Sequence, residues 1–146
     1  MNKLISFVKQ FTKEEVKELN SVEKIGKKYF YISKEIKELK DKIPLETYSA
    51  GLPIGELKNN KFMPSIALLD ILANYTDKKI IVNKKGETVF LYGKEVFPEN
   101  FEKCNVKEGI CLVLNANNEV LGYGELTKRK NIKNILDRGD FLRRER

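Results

Sequence analysis

The stretch Thr127–Arg146, TKRKNIKNILDRGDFLRRER, concentrates the charge of this chain and decides how the rest is read. It holds eight cations (Lys128, Arg129, Lys130, Lys133, Arg138, Arg143, Arg144, Arg146) against three acids (Asp137, Asp140, Glu145), a net +5 in a chain of +7. Residues 1–76 carry +3 (13 basic, 10 acidic) and residues 77–126 carry −1 (7 basic, 8 acidic), so the excess is terminal. Ile132, Ile135, Leu136, Phe141 and Leu142 interrupt the cations. A disordered basic tail lacks such residues. The pattern predicts a folded segment whose apolar side docks on a core and whose basic side faces a polyanion. Backbone phosphates are the commonest such partner.

Upstream of this stretch the pattern is mainly strand. Val120–Leu126 reads as a strand in which Gly122 and Gly124 predict a bend or the close approach of another backbone. Asn115-Ala116-Asn117-Asn118 reads as a hairpin turn and Ile110–Leu114 as its apolar partner strand. Further back, Ile80-Ile81-Val82 reads as a strand, Lys84-Lys85-Gly86 as a turn and Thr88–Leu91 as another strand. A short helical turn at Val96-Phe97 and an irregular connection through Pro98 and Phe101 complete the segment. Short strands with regular turns predict a small closed or half-closed barrel over residues 77–146.

Residues 1–76 alternate helix and strand. Leu4, Phe7, Val8 and Phe11 mark an amphipathic helix. Thr12 with Glu15 reads as a capping box that opens a second helix carrying Val16 and Leu19, followed by a loop to Gly26. Tyr29–Ile32 is a strand. Ser33 caps a helix with Ile36, Leu39 and Ile43 inward, and Pro44 stops it. Strand and turn follow, with Asn59-Asn60 as a tight hairpin turn and Lys61-Phe62-Met63 as the return. Ser65 caps a helix that buries Ile66, Leu68, Leu69 and Leu72.

Composition removes several function classes. With 41% apolar and 34% charged residues the 146-residue chain is globular. Its longest apolar run, Ile66–Leu72, is interrupted by Asp70 and too short to span a bilayer. The N-terminal run Leu4–Val8 lacks a signal-peptide pattern, which predicts a cytoplasmic protein. There is no histidine, so the commonest general base and metal ligand is missing. Cys104 and Cys111 alone do not make a zinc site and read as reduced thiols. Gly122-x-Gly124 lacks the third glycine and the helix of a nucleotide fingerprint. Asp70 reads as an exposed helical residue. No nucleophile–base pair or carboxylate pair is present, so the chain reads as a non-enzyme with no cofactor and no metal. Tyr92, Tyr123 and Phe141 are candidates for stacking on bases. Barrel filling is the stronger expectation for Tyr92 and Phe141, while Tyr123 stays open.

Three segments carry a resemblance: Phe90-Leu91-Tyr92-Gly93-Lys94-Glu95-Val96, Val120-Leu121-Gly122-Tyr123-Gly124, and Asp137-Arg138-Gly139-Asp140-Phe141-Leu142-Arg143-Arg144-Glu145. They resemble a PUA domain, a small RNA-binding pseudobarrel. The first resembles more narrowly the Nip-seven family of large ribosomal subunit biogenesis proteins of archaea and eukaryotes. Tyr29–Ile36, Lys61-Phe62, Ala67-Leu68 and Leu72–Tyr75 are similar to that family's front half. The resemblance implies an α+β chain, with an N-terminal α/β pre-PUA domain (1–76) before a C-terminal PUA-type β pseudobarrel (77–146). It implies a non-catalytic factor in rRNA processing and large-subunit assembly, nucleolar if the source is eukaryotic. The implied partners are single-stranded, U- or AU-rich pre-rRNA, and pre-ribosomal assembly proteins met by the N-terminal domain; no membrane is implied.

The RNA-binding candidates are Lys128, Arg129, Lys130, Lys133, Arg138, Arg143 and Arg144. Arg129, Lys130 and Lys133 have no acid beside them in sequence, whereas Asp137 and Asp140 flank Arg138 and Arg143 and offer them an internal ion pair. Two further readings stay open: an accessory RNA-binding module of an rRNA- or tRNA-modifying enzyme, and a protein-interaction adaptor.

Overall fold

The apolar stripe near the N-terminus forms helix α1 (Asn2–Lys9) and buries Leu4, Phe7 and Val8, with Phe11 buried just beyond it. The structure, a computed structural model, describes residues 2–32 and 51–140. The helix expected from Ser33 to Pro44, and Phe141, Leu142, Arg143 and Arg144, lie outside the described residues. A four-stranded antiparallel sheet follows: β1 (Val22–Ile25), β2 (Lys28–Tyr31), β3 (Leu52–Lys58) and β4 (Lys61–Pro64), adjacent in chain order. Asn59 and Asn60 close the β3–β4 hairpin with φ of 49° and 64°, the left-handed pair that a two-residue hairpin turn requires. The Ser65 hydroxyl accepts from Leu68 N at 3.3 Å and caps helix α2 (Ile66–Leu72), as its position before the Leu/Ile run predicts.

Two expectations for the first half fail. Thr12 opens no α-helix. It is buried, and its hydroxyl accepts from Glu14 N at 3.0 Å in a local turn that competes with helix formation. Only a 3₁₀ helix, Lys17–Ser21, forms before β1. The expected loop to Gly26 is instead strand β1, because each of its residues pairs with one of β2. Gly26, at φ 63°, supplies the turn between them.

The second sheet holds β5 (Lys79–Val82), β6 (Phe101–Cys104), β7 (Gly109–Leu114), β8 (Val120–Leu126) and β9 (Ile132–Asp137), in the order β6-β5-β7-β8-β9. Only β5 and β7 run parallel. Lys84 to Leu91, expected as turn and strand, is helix α3 (Lys84–Leu91). Asn83 caps it by accepting from Gly86 N at 2.8 Å. Gly86 is there for packing: a Cβ would lie 2.8 Å from the Val82 Cβ and 3.2 Å from the Asn100 Cβ. Val96 and Phe97 form no helical turn. Val96 bridges Ile132, and Phe101–Cys104 is a strand because its edge pairs with β5.

One hydrophobic core unites the two halves. It contains Leu4, Phe7, Phe11, Tyr29 and the leucines of α2 together with Leu112, Leu114, Val120, Tyr123 and Leu136 of the second sheet. Tyr123 is therefore a core residue: its ring lies 5.4 Å from Phe7 and 5.9 Å from Phe11, and burial pushes its phenol pKa up to about 12. A second core lies under α3, built on Ile80, Val82, Phe90, Val113, Leu121 and Ile132. Strand β7 serves both: Leu112 and Leu114 face the first, Cys111 and Val113 the second. Both cysteines are free thiols, Cys104 exposed and Cys111 buried. Burial, with a smaller contribution from Cys104, pushes the Cys111 thiol up to about 12.

The glycines of β8 mark a close approach. A Cβ on Gly122 would overlap the carbonyl oxygen of Leu136, and one on Gly124 that of Lys133. Both contacts come from β9, whose register shifts by one residue opposite Tyr123 and Gly124. Gly122→Ala should destabilise the protein by about 2–3 kcal/mol, since the obstacle is backbone and does not rotate away. Chemical denaturation checks this; a variant within 0.5 kcal/mol of the parent, roughly the range of a neutral surface change, would remove the close-approach account.

Candidate nucleic-acid interface

The cations of the terminal stretch sit on two separate structures. Lys128, Arg129 and Lys130 form the tip of the turn from β8 to β9, and all three are exposed. Thr127 closes the turn: its N–H donates to Asn131 O and its carbonyl accepts from Lys130 N, both at 2.9 Å. Lys130 takes φ 67° at the end of the tip. Its amine donates to the carbonyl of Lys107, which ties the turn to the connection between β6 and β7. Lys133 is exposed on β9, across from Glu125 in the register. Among the described residues, Lys128, Arg129 and Lys133 make no ion pair.

Arg138 stands apart. By strand rise it lies roughly 20 Å from the turn, past the other end of β9. Its Nε donates to Val120 O at 2.5 Å, and its guanidinium meets Asp70 of α2 at 3.3 and 3.4 Å. The acid expected beside it in sequence is replaced by one 68 residues away. Asp70 is exposed as expected, and this pairing joins α2 to the end of β9. Asp137 turns inward: it is 1% exposed and accepts from Asn134 Nδ2 at 3.0 Å.

Two exposed aromatics lie on the segment held against β9, one expected in the barrel and one not singled out from the sequence. Tyr92, expected inside the barrel, is 72% exposed at the C-terminal end of α3, and Phe97 is 50% exposed. Gly93, at φ 82°, ends α3 just past Tyr92, so the ring projects from the helix tip rather than into the core. The segment carrying both rings is held against β9. Val96 and Ile132 exchange backbone hydrogen bonds of 3.1 and 2.8 Å, and Asn134 Nδ2 donates to Phe90 O at 2.8 Å. The available signal was Asn83 as a helix cap followed by Gly93 as a helix stop. That reading puts Tyr92 at an exposed end.

Among the described residues, no three acids or cysteines gather in a metal-binding arrangement, and no helix is long and apolar enough to cross a membrane.

Comparison with known proteins matches residues 1–66 to a NIP7/UPF0113 pre-PUA domain and residues 78–146 to a UPF0113 PUA domain. A UPF0113 protein of Aeropyrum pernix is 32% identical over 124 residues, covering 81% of this chain and 70% of that protein. A UPF0113 protein of Archaeoglobus fulgidus is 30% identical over 115 residues, covering 70% and 66%. A protein of Dictyostelium discoideum named 60S ribosome subunit biogenesis protein NIP7 homolog is 29% identical over 107 residues, covering 69% and 59%. The chain thus spans between 59% and 70% of the length of these relatives. A solved structure of a conserved PUA domain protein from Thermoplasma acidophilum overlaps 64% of this chain and 69% of its own, at 20% identity and a TM-score of 0.48. By the two domain matches and the Aeropyrum relative the chain belongs to the UPF0113/NIP7 family, with a pre-PUA domain followed by a PUA domain.

Proposed function

We propose that this protein is a non-catalytic RNA-binding factor of large ribosomal subunit biogenesis. Its PUA domain holds single-stranded, U- or AU-rich pre-rRNA, and its pre-PUA domain meets other assembly proteins. The division falls at about Thr76, between α2 and β5. The reading makes the protein cytoplasmic, or nucleolar in a eukaryotic source. The observation that carries it is the exposed turn Lys128-Arg129-Lys130, with Lys133 beside it on β9 and no carboxylate bound to Lys128, Arg129 or Lys133 among the described residues. Lys128, Arg129 and Lys133 neutralise phosphates without first breaking an ion pair, and each contact made releases counterions from the strand. The name of the Dictyostelium relative supports the ribosomal setting.

Titration of a labelled oligouridylate at several salt concentrations tests the reading. Four or five phosphate contacts give a log–log slope of about −3 for a single strand. Binding that does not change with salt, or no binding at low salt, would favour the adaptor reading instead.

A further inference from the structure

We propose that Tyr92 and Phe97 are stacking platforms for unpaired bases, so that the strand held by the cationic turn is read through its base faces as well as its phosphates. This rests on the RNA-binding reading above and adds a second kind of contact to it.

Large exposed hydrophobic side chains are few among the described residues: Ile5, Leu52, Tyr92, Phe97 and Ile135. Three of these five lie on β9 or on the segment clipped to it. Their exposure has local causes. Gly93 ends α3 and leaves Tyr92 at its tip. Val96 turns inward to pair with Ile132, so the next side chain, Phe97, points out. Ile135 is the extra residue of a β-bulge. Asn134 pairs with Gly124 and Leu136 with Tyr123, leaving Ile135 without a partner on β8 and 42% exposed. Bulges re-aim side chains in this way.

The charge around these residues selects the occupant. Lys94 lies between Tyr92 and Phe97 in sequence. Phe97 follows the residue bonded to Ile132, which is two residues past the Lys128-Arg129-Lys130 turn and next to Lys133. Glu95 and Glu125 are the acids of the same segments. An apolar face set among cations suits a ligand that carries flat apolar surfaces on an anionic thread. A single-stranded nucleic acid is such a ligand, and a duplex is not, because pairing hides its base faces. Tyrosine and phenylalanine accept any base, since every base has a π-face.

The chain has no tryptophan, so Tyr92→Trp and Phe97→Trp each give a single-tryptophan reporter. Oligouridylate should quench both emissions, and an abasic oligomer of equal length should not. Tyr92→Ala and Phe97→Ala should each weaken oligouridylate binding by about tenfold with the salt slope unchanged, and leave binding of the abasic oligomer as in the parent. If the Ala variants bind oligouridylate like the parent and neither reporter is quenched, the stacking assignment is overturned while the phosphate contacts stand. That is also the result expected if this face serves a protein partner. If the parent itself binds no oligonucleotide, the RNA-binding reading falls, and the stacking assignment with it.

Discussion

Replacing Arg129 by Ala, Lys130 by Asn and Lys133 by Ala together should lower oligouridylate affinity by on the order of 100-fold at 0.1 M salt and flatten the log–log salt slope by about 2. Both figures follow from counterion release. Each phosphate contact on a single strand contributes about 0.7 to the slope, and is worth about fivefold at 0.1 M salt relative to 1 M. Asn is the replacement at position 130 because the backbone there has φ 67°, which Asn tolerates better than Ala. The fold should be preserved. The turn is closed by the backbone bonds of Thr127, the side chains removed are exposed, and the tie lost among the described residues is the exposed Lys130 amine bond to the Lys107 carbonyl. Arg138→Ala makes the contrasting variant. Its guanidinium joins Val120 to Asp70, so its loss should lower stability and leave the salt slope near that of the parent. A triple variant that binds like the parent would remove the phosphate-binding role from the turn.

Phe7→Ala should cost about 3–5 kcal/mol and lower the melting temperature by roughly 10–15 °C, in one cooperative transition. Phe7 belongs to α1, yet its ring lies 5.3 Å from Phe62 of β4 and 5.4 Å from Tyr123 of β8. It therefore removes packing from both sheets at once. Phe11, 5.3 Å away, is too firmly held to refill the space, with Tyr123 on its other side. Differential scanning calorimetry with circular dichroism would follow the transition. Two separate transitions, with only the first displaced, would show that the halves melt independently and that the joint core is not cooperative.

What could be read from the chain follows from where each signal comes from. Local signals carried through: the α1 stripe, the Asn59-Asn60 turn, the Ser65 cap, and the paired glycines of β8 facing the backbone of β9. The misreadings lie where a tertiary contact overrode a local pattern. Gly86 looked like a turn residue, but its missing side chain makes room for Val82 and Asn100. Val22–Ile25 has little strand character alone and becomes a strand by pairing with β2. Tyr123 sits between two glycines and reads as open, yet Phe7 of α1 and Phe11 just beyond it supply the rings that enclose it.

The candidate site divides in the same way. The charge of Lys128, Arg129, Lys130 and Lys133 is a property of the sequence alone. That Arg138 turns to Asp70, and that the segment carrying Tyr92 and Phe97 is held against β9, depends on how α2, α3 and β9 meet. The helix cap at Asn83 would have placed Tyr92 correctly. Nothing local to Arg138 identifies Asp70.

The joint core has a consequence for genetics. Because α1 and α2 wall in the strands that present the cationic turn, alleles that abolish RNA retention should map to Phe7, Leu69 or Leu72 as readily as to the turn itself. Growth at reduced temperature would restore the first group and leave the second defective, which sorts scaffold lesions from contact lesions without purifying a single variant.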